Sequence, residues 1–379
     1  MNAASGKRIA LVLGPGNLAV DYAQALVRGP ERALLELGFD VQTFNTAHYK
    51  ESIQAFYRRR PRVGPRVGID QFPEGEGLVR GLLDFFGADR FDLTIGLFYD
   101  AYLTPALMGV LRERGGRLVN WPLNLLDQEN HFRRCLAFFD ETWCAEEGAL
   151  EGLRAQHGAR IRFVPMASDP HIFRPLGSPK EPAVLFLGSA YGERVQMLAR
   201  CGEILPTTVA GPGHGPVSVL RTIARRALRE RHFIGPREGA QLLLRSVRGR
   251  AQPVGDEEYV RLAAAHGVSV GFSDVKQETT GKTVHKVRLR EYDAAMTGLC
   301  HLARRLPELE RHFEPGKEML LYDSTDELFE LLREIARGQI DFRAVGAAAR
   351  KRAVRDHTWT TRLRAALSAL GGTADQKCE

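Results

Sequence analysis

The chain has 379 residues, 44% of them hydrophobic and 26% charged, and a formal net charge of +7. That length accommodates two domains of ordinary size, and the composition is that of an ordinary soluble protein. The longest aliphatic stretch near the N-terminus, Ile9 to Leu13, is too short for a signal-peptide core or a membrane span, so a cytoplasmic location is expected.

In chain order, Arg8 to Leu13 reads as a buried strand ending at Gly14-Pro15-Gly16-Asn17, with a helical pattern from Val20 to Leu37, Gly38, and a second strand from Val41 to Phe44. This is a Rossmann-like opening. The third glycine of a dinucleotide fingerprint is missing, yet the backbone amides around Gly16 and Asn17 could approach a phosphate. From Tyr49 to Glu74 the chain is rich in Arg, Pro and Gly, which predicts a mobile loop. Further strands are expected at Leu93 to Phe98, Arg117 to Trp121, Glu141 to Cys144 and Arg160 to Val164, with helices at Leu103 to Arg114 and Glu146 to Gln156 between them. Such alternation predicts a parallel sheet covered on both faces. Two polar groups follow predicted strands: Tyr99-Asp100, and the run Trp121 to Phe132 with Asn124, Asp127, Glu129 and His131. Asp127 is the favoured catalytic carboxylate and Asp100 the second candidate, a helix cap being the structural alternative for Asp127.

Four prolines and a glycine break the periodicity between Pro170 and Pro182, and a new strand is expected at Ala183 to Leu187. The expected organisation is α/β with two Rossmann-like domains, residues 1–175 and 183–355, facing across a cleft. A helix at 356–370 is expected near their junction, and 371–379 as a disordered tail. Gly188-Ser189-Ala190-Tyr191 follows the first strand of the second domain, where backbone amides can bind anions, and Arg194 stands just beyond. Between Arg221 and Arg250 the arginines form basic helical faces. Anionic lipid could attract them, giving a peripheral membrane contact, although a solvated surface is the plainer reading. No helix-turn-helix, zinc-finger or aromatic RNA-binding signature accompanies them, so no nucleic-acid partner is expected. The five cysteines show no metal-ligand spacing and read as reduced and structural. Thr280-Gly281-Lys282-Thr283 is not a phosphate loop, because Lys276 stands where its first glycine is required. Asp323 and Asp326 read as the start of a helix rather than metal ligands.

The most informative stretch runs from Arg290 to Asp323. Asp293 lies on a short helix closed by Gly298, after a strand expected at Val268 to Phe272, and a second strand ends at Asp323. A carboxylate there can accept hydrogen bonds from ribose hydroxyls. Arg288 and Arg290 just upstream suit a diphosphate, since guanidinium groups meet phosphate oxygens through paired hydrogen bonds.

This segment resembles the C-terminal domain of the CgeB-type (spore maturation protein) glycosyltransferases, of the retaining two-Rossmann-domain GT-B superfamily. The resemblance rests on Arg288, Arg290, Glu291, Tyr292, Asp293, Met296 and Gly298, then Glu308, Leu309, Glu310, Phe313, Gly316, Lys317, Glu318 and Asp323. Weaker likeness extends to Phe186–Arg194 and Arg355–Arg362. It implies transfer of a sugar from a nucleoside-diphosphate sugar, used as co-substrate with no other cofactor or metal, to a small-molecule, glycan or lipid-linked acceptor. It further implies donor contacts from Gly188, Ser189, Tyr191, Arg194, Arg288, Arg290 and Asp293. Two departures stand out. The family's Glu is Asp293 here, and where the wider superfamily has a second Glu eight residues earlier, this chain has His285. His285 is the third catalytic candidate, and it keeps a nucleotide-sugar epimerase as a rival reading. A basic, non-catalytic membrane-surface protein is the other.

Overall fold

A computed structural model describes residues 6–14, 24–58, 77–158, 160–190, 193–214 and 254–372. The chain divides into two units, one of residues 1–167, 274–287 and 356–379, the other of 168–273 and 288–355.

The first unit is built on a six-stranded sheet. Its strands are β1 (Arg8–Leu13), β2 (Asp40–Asn45), β3 (Leu93–Gly96), β4 (Arg117–Asn120), β5 (Glu141–Cys144) and β6 (Ile161–Phe163). They lie in the order β2-β1-β3-β4-β5-β6, and every pairing is parallel. Strand β1 is apolar without alternation because both its faces are covered, and Ile9 to Leu13 are at most 1% exposed. Thr104 starts the helix Pro105–Arg114 by accepting from the Leu107 amide at 3.3 Å, with proline at the first helical position. Gly116, at φ +64, then turns the chain directly into β4; a side chain there would strike the Asp92 backbone.

The last helix, Trp359–Gly372, packs in this unit. The Trp121 ring lies edge-on to both Trp143 and Trp359, each at 5.5 Å between centroids. Gly29, in the helix Ala25–Glu36, leaves room for the Trp359 indole. Arg117 donates to the Leu370 carbonyl at 2.8 Å.

The second unit carries a five-stranded sheet of β7 (Glu181–Leu187), β8 (Thr207–Ala210), β9 (His266–Val270), β12 (Cys300–Arg304) and β13 (Leu320–Tyr322), in the order β13-β12-β9-β7-β8, again all parallel. Alternate residues feed opposite layers. Val184, Phe186, Val268 and Val270 pack with Leu198, Leu328 and Leu332 in one cluster, while Leu185 packs with Ala263, Ala294 and Leu299 in another. The helix Leu289–Met296 ends at Gly298, at φ +69. Its terminal carbonyls are held by two cations: Lys180 donates to those of Thr297 and Gly298 at 2.8 and 2.6 Å, and Arg350 to that of Met296. Positive charge there complements the helix dipole. Burial, with Arg350 beside it, lowers Lys180 to about 8.

Between β9 and that helix the chain leaves the second unit and forms an antiparallel hairpin, β10 (Asp274–Lys276) with β11 (Thr283–His285), which belongs to the first unit. The apolar periodicity carries no sign of this hairpin. The segment read as a mobile loop from Tyr49 begins instead with an amphipathic helix, Lys50–Arg58, that buries Ile53; residues 59–76, the basic faces between Arg221 and Arg250 and the tail after 372 lie outside the described residues. The four described cysteines, Cys135, Cys144, Cys201 and Cys300, are buried free thiols.

Candidate functional site

In both sheets the first strand lies between the second and third, so successive connections run in opposite directions from it. Open parallel sheets bind ligands beyond the carboxyl ends of their strands at such a reversal. In the second unit this point lies between β7 and β9, and three of the predicted donor residues converge there.

Arg194, only 4% exposed, opens the helix Arg194–Ile204. It donates to the carbonyls of Phe272 at 3.1 Å and Ser189 at 3.4 Å, and its guanidinium lies 5.6 Å from the centre of the Phe272 ring. Arg288 reaches the same Phe272 carbonyl through Nε at 3.1 Å. Arg290 lies over the Phe186 ring at 5.2 Å and against Gly188, where a side chain would come within 2.5 Å of its Nη2. A side chain at Gly188 would therefore displace the Arg290 guanidinium. The Gly188 carbonyl contacts Nε2 of His214 at 2.9 Å. Burial lowers the His214 pKa. The site thus gathers three guanidinium groups around the ends of two strands, an arrangement suited to an anion with several oxygens.

Glu291 holds the helix start in place: its carboxylate accepts from the Arg288 amide at 2.8 Å, completing a capping arrangement. Burial raises its pKa, against the neighbouring Arg290 and Arg288. Beneath it, His301 on β12 bonds through Nδ1 to Ser269 of β9 at 2.7 Å. Burial, reinforced by Arg290, lowers His301 to about 3, so it is neutral in any ordinary buffer. Gly271 separates these groups: a Cβ there would lie 2.7 Å from His301 Nε2 and 3.0 Å from Glu291 Oε1.

Asp293 faces the connecting segment. It is 7% exposed and accepts from the Ser168 hydroxyl at 2.7 Å. Burial pushes its carboxyl well above the usual range. Tyr191, Gly16 and Asn17 lie outside the described residues, and Ser189 contributes its carbonyl to Arg194.

The first unit gathers a second polar group at the carboxyl ends of β3, β4 and β5. Lys286, just after β11, is 5% exposed. Its ammonium donates to Asp127 at 2.6 Å, Asn124 at 2.7 Å and Glu146 at 2.8 Å. Glu146 also accepts from the amides of Leu125 and Leu126 at 2.8 and 3.1 Å. Burial raises its pKa in opposition to Lys286. Asp127 is therefore the ion-pair partner of a buried lysine, not the helix cap considered from sequence. Glu278 from the same hairpin meets His131 at 2.8 Å and Gln128 at 3.2 Å. Asp100 is 3% exposed and accepts from the Cys135 amide at 2.9 Å. His285 pairs with Asp274 across the hairpin at 3.0 Å, apart from the Asp127 cluster's contacts.

Sequence reasoning missed Phe272, whose backbone carbonyl joins two arginines, and the pairs Ser269–His301 and Ser168–Asp293. Polar residues inside the apolar runs V-S-V and C-H-L were the available signal for the first pair. Lys286 carried none, because its partners are supplied by a hairpin docking absent from local patterning.

No curated protein matches the sequence. Residues 218–368 match the family model described as glycosyl transferase-like. Sucrose-phosphate synthase from Thermosynechococcus elongatus is similar in structure with a TM-score of 0.61 at 16% identity, over 97% of this chain and 100% of that chain. A glycosyltransferase from Rickettsia africae is similar at 0.60 and 9% identity, over 96% and 97% of the two chains. HepE from Anabaena, in complex with UDP-glucose, is similar at 0.58 and 12% identity, over 97% and 100%. At such identities these likenesses speak for the fold. The fold they share is the two-domain GT-B architecture of glycosyltransferases, and the segment matched by the family model contains the Arg288-to-Asp323 motif.

Proposed function

We propose that this protein transfers a sugar from a nucleoside-diphosphate sugar to an acceptor hydroxyl, without a resident metal, in the manner of the CgeB-type enzymes whose motif it resembles. The observation that carries the reading is the convergence of Arg194, Arg288 and Arg290 at the ends of β7 and β9. As the bond between the anomeric carbon and the diphosphate oxygen breaks, negative charge grows on the departing diphosphate. Preorganised guanidinium groups stabilise that charge more in the transition state than in the ground state. Asp293 is the ribose contact in this scheme, Asp127 and Asp100 are the acceptor-side candidates, and His285, standing where the wider superfamily has its second Glu, is the third catalytic candidate; each is to be tested by substitution.

Structures of HepE hold UDP or UDP-glucose, which makes uridine the first base to try. A thermal-shift screen against uridine, guanosine, thymidine and cytidine diphosphates tests the proposal. A ligand at a hundred times its Kd stabilises the native state by about 2.7 kcal/mol, so one base should stand out, and four flat responses would remove the reading. Incubation with the matching nucleotide sugar and no acceptor separates transfer from epimerisation: slow release of free sugar supports the first, a new nucleotide-sugar epimer the second. The protein is expected in the cytoplasm, and among the described residues no helix is long and apolar enough to cross a membrane.

A further inference from the structure

We infer that Ser168 is a positioning residue for ribose recognition: its hydroxyl fixes one carboxylate oxygen of Asp293 so that the other receives the 2′- and 3′-hydroxyls of the bound nucleotide. The inference rests on the nucleotide-sugar reading of the site and adds to it a residue 125 positions away in the chain.

The contact is built rather than incidental. Ser168 is 1% exposed and donates to Oδ1 of Asp293 at 2.7 Å. It opens a turn in which the carbonyl of Asp169 accepts from the Phe173 amide at 2.8 Å, and the Asp169 carboxylate accepts from the His171 amide at 2.8 Å. Phe173 sets its ring edge-on to Tyr259, 5.4 Å between centroids, on the helix Asp256–Ala265. Arg350 then ties the two partners' supports together. It donates to the Phe173 carbonyl of the turn at 2.9 Å and to the Met296 carbonyl at the end of the helix carrying Asp293. The turn bearing Ser168 and the helix bearing Asp293 are thus cross-linked at a second point, which leaves their spacing little freedom. Aspartate is one methylene shorter than glutamate, so a ribose contact from this position needs its carboxylate held in one orientation.

Charge around Asp293 supports the same assignment. Asp256 and Tyr259 face it from the helix Asp256–Ala265, Arg290 and Glu291 from its own helix, and Ser168 from the connecting turn. Burial, with the Asp256 charge, keeps the carboxyl protonated more readily than a free aspartate, against Ser168 and Arg290. Ribose hydroxyls donating to Oδ2 favour the ionised form, so nucleotide binding releases a proton and tightens as pH rises.

Titration calorimetry on the full chain tests this, using whichever of UDP, GDP and CDP stabilises the wild type most, together with its 2′,3′-dideoxy analogue. Both ligands carry the same diphosphate, so its own ionisation cancels in the comparison. Ser168→Ala should weaken the ribonucleotide about tenfold, the scale of one hydrogen bond to a charged group, and leave the dideoxy analogue unchanged. Ser168→Thr should restore the preference. The wild type's preference for the ribonucleotide should grow as pH rises. Equal losses for both ligands, or no loss for either, would overturn the inference while leaving nucleotide binding intact. Failure of the wild type to bind any of the three would remove the underlying reading of the site as well.

Discussion

Arg194 and Arg288 donate to one acceptor, the carbonyl oxygen of Phe272, each at 3.1 Å. Two guanidinium groups that meet at one neutral oxygen bring like charges close together beyond β9, and an anion bound there would relieve their repulsion. Inorganic pyrophosphate should therefore raise the melting temperature of the wild type, less so in high salt. Arg288→Met should abolish most of that gain; an undiminished shift would place the anion elsewhere.

Arg290 lies over the Phe186 ring, 5.2 Å from its centre. Arg290→Ala should weaken nucleoside-diphosphate binding by about 1.5 to 3 kcal/mol, the range for hydrogen bonds to charged groups. Titration calorimetry measures this directly. An unchanged affinity would take Arg290 out of the site.

The Lys286 cluster holds two carboxylates at the first unit's strand ends. Lys286→Met leaves the buried carboxylate of Glu146 and that of Asp127 without their cation, which should cost about 3 to 5 kcal/mol in denaturant unfolding at neutral pH. The pH dependence has a definite sign. Glu146 already has a folded pKa above its unfolded value, and losing Lys286 raises it further. The folded variant then binds the proton more tightly than the unfolded chain. Its deficit should be full at high pH and shrink as pH falls through the raised folded value toward the unfolded one. A deficit that grows on acidification would refute this account of the cluster.

At Gly29 two effects oppose one another. Alanine is the better helix former by about 1 kcal/mol, but its Cβ would press on the Trp359 indole, 2.6 Å from Nε1. Trp359 is itself wedged against Trp121, so the ring has little room to yield. Gly29→Ala should lose about 1 to 3 kcal/mol through overpacking, measured by urea unfolding. A stabilised variant would show that the indole can move.

Much of the fold was legible because buried parallel strands announce themselves. Arg8–Leu13 and Glu141–Cys144 fall where the apolar runs predict, and β2, β3, β4, β6 and β7 within a few residues of it. Boundaries blurred where polar residues continue a strand, as Glu181 does before Ala183. The helix Leu289–Met296 and its terminal Gly298 were readable from local chemistry, as were the arginines before it. What could not be read was long-range. The hairpin Asp274–His285 is too short for a periodic signal, and its residues are stabilised by partners some 150 positions away, such as Gln277 with the Leu126 carbonyl. For the same reason the ion pair of Asp127 could not be read: nothing near it in sequence supplies Lys286.

The hairpin and the last helix have a further consequence for how the molecule is made. The first unit needs residues 274–287 and 356–379, whereas the second ends at 355. During synthesis the N-terminal sheet emerges first, yet Glu146 and Asp127 wait for Lys286, and Trp121 waits for Trp359. The domain translated first is the one completed last, so a premature stop between Arg355 and Trp359 would strand it half-built beside a finished neighbour.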